Sequence, residues 1–327
     1  MTGLDVPVGF GGEVRLGIVK VPDERIDVLS GVFKPKKTTY AEITFCDIPG
    51  EHGSEKKGLS SRALQQIRDQ EALCLVLRDF ANPSLEGDPD PAGDLDAFHT
   101  ECILADLEIV ERRLYRIRKE KPNAQEQAAL ETTQSTLEQG HPLRTLSGEV
   151  LNREQIKGYG LLTDRPLLIA LNRREEDASL GLPDELVAHL EQLNAAGLVL
   201  SASVEAEIAA LAADDQAAFL EDLGLEGSAL TRFIRTAYGL LDLISFFTVG
   251  DDEVRAWTIK RGTRARVAAG RIHSDLERGF IRAEVIPYDV FMEHGSEQAV
   301  KDAGRLRVEG KDYVVLDGDM LHVLFNV

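Results

Sequence analysis

The 327 residues are enough for about two domains at roughly 150 residues each, and 43% hydrophobic with 28% charged residues excludes general disorder. With 56 acidic against 37 basic side chains the formal net charge is −19. That charge disfavours DNA, bulk RNA and anionic membranes as partners unless the bases gather locally. Cys46, Cys74 and Cys102 are odd in number and lack CxxC spacing, which excludes a disulfide framework and a cysteine-rich zinc site and suits a reducing cytoplasm. No apolar run approaches the ~20 residues that span a bilayer, and the N-terminus does not read as a secretory signal.

In chain order, Val14, Leu16 and Ile18 predict a first strand. Pro22-Asp23-Glu24-Arg25 predicts a helix start, and Ile43 and Phe45 a second strand running into Asp47-Ile48-Pro49-Gly50. A polar loop to Ser60 precedes a helical pattern at Leu64 and Ile67, and Leu73–Phe80 reads as a buried parallel strand. The Asn, Pro, Gly and Asp at 82–94 read as a loop. From Phe98 a long helix, including ADLEIVERRLYRIRKEK, is broken at Pro122-Asn123 and followed by a second helix over 126–137, a helical hairpin. Such a hairpin is either a plain structural arm or a partner-binding one.

Pro166–Leu171 is another buried strand, ending in Asn172-Arg173-Arg174-Glu175. A helix at 184–195, a strand at 198–200 ending in Ser201-Ala202-Ser203, and a helical stretch over 206–243 follow. Strands alternating with helices indicate a parallel α/β sheet, whose ligands bind at the carboxyl ends of its strands. After Ile244 short strands with glycine turns predict a separate domain, closed by a hairpin of Tyr313–Leu316, an Asp317-Gly318-Asp319 turn and Met320–Val327.

Three polar segments, DIPG, NRRE and SAS, therefore fall at strand ends, as the nucleotide side of a G-domain requires. The Asp47 carboxylate suits a Mg²⁺ shell and the Gly50 amide a γ-phosphate. Asn172 and Glu175 suit a base edge, with Ser201 and Ala202 beside it. Each motif alone is weak, and a strand-end turn explains DxxG by itself. The phosphate cradle GxxxxGKS or GxxxxGKT is absent, and Gly9-Phe10-Gly11-Gly12 lacks the Lys-Ser/Thr that would complete one. Without it, tight triphosphate binding and hydrolysis lose their main electrostatic support.

The segment EVRAWTIKRGTRARVAAGRIHSDLERGFIRAEVI, with EGKDYVVLDGDMLHVLFNV, resembles the C-terminal TGS-type domain of the Obg-like ATPase (YchF) family. LGLEGSALTRFIRTAYGLL, TECILADLEIVERRL, HPLRTL and VPDERIDVLSGVFKPKK extend the resemblance over essentially the whole chain. It implies an α/β fold: a P-loop G-domain, here incomplete, interrupted by a coiled-coil hairpin and followed by a β-grasp domain. The implied spans are 1–97 and 161–243 for the G-domain, 98–160 for the arm and 244–327 for the TGS-like domain. The family's NxxE, taken to favour adenine, is similar to Asn172 and Glu175, and its DxAG switch to Asp47 and Gly50 with Pro49 for Ala. It further implies ATP or GTP with Mg²⁺, and the ribosome as partner.

There are departures from the family pattern. The family's opening strand, P-loop and helix have no counterpart, and Met1-Thr2-Gly3 resembles the end of that helix, so the expectation is a start at an internal Met. The switch I threonine has no match among residues 4–14. The histidine proposed to polarise water is matched by Leu75, and the hydrophobic residue after DxAG by Glu51. His52, beside it, would orient a water or be a plain exposed loop histidine.

Between 255 and 282 stand eight bases, including Arg255, Lys260, Arg264, Arg266 and Arg271, against the acids Asp275 and Glu277. This basic segment in an acidic chain suits RNA phosphate, or forms a solvated face paired with distant acids. Two functions follow: a nucleotide-binding protein of the ribosome with inefficient hydrolysis, or a nucleotide-independent adaptor for RNA or protein.

Overall fold

A computed structural model describes residues 14–48, 59–83, 87–119, 123–225 and 227–326. The elements begin β1 (Arg15–Lys20), α1 (Glu24–Phe33), β2 (Lys37–Thr39), β3 (Glu42–Asp47), α2 (Ser61–Arg68), β4 (Leu73–Asp79), α3 (Pro91–Ile117) and α4 (Ala124–Glu138). Then come β5 (Leu167–Arg173), α5 (Asp184–Gln192), β6 (Ala196–Leu200), α6 (Ala202–Ala210), α7 (Ala213–Asp222) and α8 (Ala229–Leu240). The last are β7 (Leu243–Thr248), β8 (Glu253–Lys260), α9 (Ala265–Ile272), α10 (Ser274–Arg278), β9 (Phe280–Pro287), α11 (Tyr288–His294), α12 (Glu297–Asp302), β10 (Arg307–Glu309) and β11 (Asp319–Phe325). The chain divides into two compact units, Met1–Gly17 with Cys46–Phe233 and Ile18–Phe45 with Ile234–Val327. Strands β1 and β3 pair with each other as a two-stranded sheet.

In the first unit β4, β5 and β6 form a parallel sheet in that order, from Leu73↔Leu167 to Asp79↔Arg173 and from Leu168↔Ala196 to Asn172↔Leu200. Leu167, Ile169 and Leu171 share one core with Leu95 of α3 and Leu186 and Leu190 of α5, while Leu168 and Ala170, on the other face, are also buried. Burial on both faces is why β5 reads as a continuous apolar run. Helix α3 starts at Pro91, seven residues before Phe98, because Asp90 caps it through Gly93 N (3.0 Å) and proline suits the first turn. The same Asp and Pro read as loop in the sequence. Its far half packs Val110, Leu114 and Ile117 against Leu130 and Leu137 of α4, the expected helical arm.

The stretch expected to be helical over 206–243 is three helices. Glu205, buried on α6, accepts from Ala229 N (2.6 Å), Leu230 N (3.2 Å) and Ser228 Oγ (2.6 Å), satisfying the start of α8.

In the second unit the sheet order is β10-β9-β11-β7-β8-β2. Ile244, Phe246, Ile259, Ala283, Val285 and Leu321 share a core with Ala265 and Ala268 of α9, a helix across a mixed sheet as a β-grasp domain has. Residues 18–45, counted by sequence with the first G-domain span, cluster here. Helix α1, capped by Asp23 one residue after Pro22, buries Ile26 and Leu29, and Phe33 stacks on Phe291 at 5.4 Å. Strand β2 extends the sheet parallel to β8.

The predicted hairpin at 313–327 does not form. Val314 makes only an isolated bridge to Arg264, and β11 instead pairs antiparallel with β9 and parallel with β7. The turn faces other elements: Gly318, at φ +90°, donates to Ser245 O (2.8 Å), and Asp317 accepts from Ser245 N and Arg25 Nη1 (both 2.9 Å). Asp319 is buried and accepts from Tyr313 Oη and Leu316 N, and burial raises its pKa.

Glu253 of β8 accepts from Thr39 Oγ1 of β2 at 2.6 Å, which holds its carboxyl below the usual range. A lowered folded-state pKa gives stability that is full above the unfolded pKa and lost as pH falls through the folded one. Acidification through the carboxylate range is therefore expected to loosen β2, read as faster amide exchange at 37–39 relative to unstructured rates. In Thr39→Val the added pH dependence should shrink.

Candidate nucleotide-binding rim and basic face

The carboxyl ends of β5 and β6 are joined by one bond: Asn172 Oδ1 accepts from Ala202 N at 3.0 Å. This places NRRE and SAS side by side, as their strand-end positions predicted. Ser201 is buried in the N-cap position of α6, with its Oγ 3.0 Å from Ser203 Oγ. Among the described residues the Asn172 Nδ2 donor makes no bond, while its acceptor orders the loop.

Glu175 opens a short 3₁₀ turn, Glu175–Asp177, and is exposed. The residue that sequence reasoning missed is Arg173. It is buried, and Nε donates to Asp79 Oδ2 (2.7 Å) while Nη1 donates to Gly181 O (2.8 Å). This ion pair ties the end of β4 to the end of β5 and fixes the loop carrying Glu175. The available signal was an arginine in the last position of a buried strand, which demands a partner.

Asp47 is the last residue of β3 and is exposed. Among the described residues no bond joins it to Asn172, Ser201 or Ala202. Gly50, with Pro49, Glu51 and His52, lies outside the described residues, as do Met1–Gly3 and Gly9–Gly12. Among the described residues no group of three or more His, Cys, Asp or Glu is placed to hold a metal. One exposed carboxylate fits Mg²⁺, which is commonly held by one or two carboxylates with water and phosphate.

The basic residues occupy β8, the N-cap of α9 and α9 itself. Lys260 and Arg264, Arg266 and Arg271 are exposed, whereas Arg255 is half-buried and lies over the Trp257 ring at 4.0 Å. The tryptophan donates through Nε1 to Thr248 Oγ1 (2.9 Å), so it is a packed residue rather than a free stacking platform. Arg264 pairs with Asp312 (3.1 Å), Arg261 with Asp242 (3.0 Å) and Arg278 with Asp275 (2.5 Å). Exposed pairs of this kind are weak and exchange readily for phosphate. The Arg266 side chain donates through Nε to Glu277 O (3.2 Å). No helix among the described residues is long and apolar enough to cross a membrane.

Comparison with known proteins places the chain in a family. Residues 243–326 match the family YchF-GTPase_C, described as a protein of unknown function (DUF933). Over 96% of its length the chain is 38% identical to "Ribosome-binding ATPase YchF" of Bacillus subtilis (strain 168), spanning 89% of that relative. It is 38% identical to the protein of the same name in Escherichia coli O157:H7, spanning 96% of this chain and 90% of that one. The Schizosaccharomyces pombe YchF GTPase structure superposes with a TM-score of 0.84 at 30% identity, covering 94% of this chain and 87% of its own. The α/β fold with a parallel sheet is thus shared with that structure. The chain belongs to the YchF family.

Proposed function

We propose that this chain is a cytoplasmic nucleotide-binding protein that acts at the ribosome. The observation that supports it is near-full-length similarity to relatives named ribosome-binding ATPases, beside the Asn172–Ala202 junction at the carboxyl ends of β5 and β6. Asn172, Glu175, Ser201 and Ala202 take the base and its surroundings. Asp47 takes part in holding Mg²⁺, and Gly50 approaches the phosphates; when bound, the ion offsets phosphate charge. The 327 residues include no GxxxxGKS or GxxxxGKT segment, so turnover by these residues alone is slow.

Equilibrium binding of labelled ATP and GTP analogues with Mg²⁺ tests this reading. Asn172→Ala removes both the Nδ2 donor and the bond to Ala202, and is expected to weaken binding about tenfold, roughly 1.4 kcal/mol. No measurable binding by the unaltered chain, with ribosome association intact, would favour a nucleotide-independent adaptor.

The basic face at Arg255, Lys260, Arg264, Arg266 and Arg271 contacts ribosomal RNA. Changing Arg264, Arg266 and Arg271 together to Ala should weaken ribosome co-sedimentation and flatten its salt dependence, by a log–log slope of about 2 at ~0.7 per phosphate lost. An unchanged slope would remove RNA contact from this face.

A further inference from the structure

In the second unit β9 and β11 run antiparallel, with Ile286 opposite Met320 and Glu284 opposite His322. Alternation along a strand puts these four on one face. Ala283, Val285 and Leu321 point the other way and share the core with α9. The first face lines a cavity of about 300 Å³, completed by Glu297 and Lys301 of α12. Ile286 and Met320 are buried there, and Val249 and Leu306 add apolar wall. Helix α12 is fixed in place by Val300, which is fully buried, and by Ser296, whose Oγ accepts from Ala299 N at 3.2 Å.

The polar groups of this cavity come in two pairs. Glu284 and His322 are cross-strand neighbours, a register that sets Cβ atoms about 5 Å apart. Glu297 and Lys301 stand four residues apart on one helix, where Cβ atoms are about 5–6 Å apart. Sheet and helix thus each present one carboxylate and one nitrogen group. Among the described residues none of these four side chains makes a hydrogen bond or ion pair, although both spacings allow one. Another cavity of the same unit, about 380 Å³ beside α1, is the opposite case. There Arg25 pairs with Asp23 (2.8 Å) and Asp317 (2.9 Å), and Arg235 with Glu24 (3.2 Å), so the charges are satisfied within the fold.

We propose that the cavity beside α12 binds a free α-amino acid with an aliphatic or thioether side chain. Glu284 and Glu297 take its ammonium, Lys301 and His322 its carboxylate, and Ile286 and Met320 its side chain. Three properties select this chemistry. A volume of about 300 Å³ lies at the small end of ligand sites, roughly 300–1,000 Å³, and suits one small metabolite. Carboxylates alone would suit a simple cation and a lysine alone a simple anion. Both signs around one recess suit a zwitterion, whose two charges each make charge-assisted hydrogen bonds. The buried floor, with the adaptable thioether of Met320, favours an apolar tail over a polar one. Binding here requires neither nucleotide nor RNA.

Equilibrium dialysis of the full chain against labelled leucine, isoleucine, valine and methionine, each in turn, tests it. At least one of them is expected to bind saturably below millimolar concentration. Isoamylamine is leucine without its carboxylate, and 4-methylpentanoate is leucine without its ammonium. Each should bind at least about tenfold more weakly than the amino acid, because each leaves charged groups of the cavity unpaired. Glu284→Gln and Lys301→Met should each weaken amino-acid binding about tenfold with thermal unfolding unchanged, as both lie away from the packed core. Arg235→Gln, at the cavity beside α1, should leave binding as in the unaltered chain.

No saturable binding by any of the four amino acids overturns the proposal. Equal binding of the amine or the acid overturns it too, since the cavity would then be a plain cation or anion site. Binding that survives both Glu284→Gln and Lys301→Met, or that falls equally in Arg235→Gln, belongs elsewhere on the chain and has the same consequence. Should one variant not fold, the other decides together with His322→Gln and the analogue series.

Discussion

Asp106→Ala is expected to lower stability by about 3–5 kcal/mol, the usual result of removing one partner of a buried ion pair. The loss exceeds that of an ordinary hydrogen bond because four donors lose their acceptor at once: the Arg68 guanidinium, the Thr163 hydroxyl and the Leu162 and Thr163 amides. In the first unit this corresponds to a fall in melting temperature of roughly 10 °C. Circular dichroism during heating checks the magnitude, and a change under about 1 kcal/mol would mean that water replaces the carboxylate.

Phe246→Ala is expected to cost the second unit about 3–5 kcal/mol, through lost transfer energy plus the cavity left behind. Phe246 is fully buried and stacks on Trp257 with ring centroids 6.4 Å apart. Since Trp257 is the only tryptophan in the chain, its fluorescence reports directly on this core. Emission should move to longer wavelength in the folded variant and the unfolding midpoint should fall. An unshifted spectrum with unchanged stability would mean that the β-grasp core repacks around the gap.

Legibility of the fold in the sequence followed how much of each signal is local. Strands β4 and β5 were plain because each is an unbroken apolar run; β5 is buried on both faces, whereas β4, expected to be buried, exposes Cys74 and Val76. Asn172, Ser201 and Ala202 could be placed at strand ends because they follow such runs directly. Strand β2, three residues reading Lys-Thr-Thr, carries no pattern that distinguishes it from loop; only its pairing with Glu253–Arg255 makes it a strand. The start of α3 was hidden because Asp90-Pro91 serves turns and helix starts alike. The hairpin at 313–327 was misread because Asp317-Gly318-Asp319 has hairpin chemistry, while its carboxylates are spoken for by Ser245, Arg25 and Tyr313.

The candidate site divides in the same way. Arg173 and Asp106 look in sequence like polar punctuation at a strand end and on an amphipathic helix. Their partners, Asp79 and Arg68, lie 94 and 38 residues away, beyond any local window. The Asp47 carboxylate was placed at a strand end as expected, whereas Gly50 and His52 lie outside the described residues.

The membership of residues 18–45 in the second unit has a consequence for how the protein is made. The chain enters that unit, leaves it for nearly two hundred residues and returns only at Ile234. Thr39 and its partner Glu253 are 214 positions apart. At roughly 5–20 residues per second, a nascent chain must carry α1 and β2 for about 10–40 s before β8 has been synthesised. During that interval Ile26 and Leu29 have no sheet to cover them, so the early segment is where a folding helper would find this chain while it is still being translated.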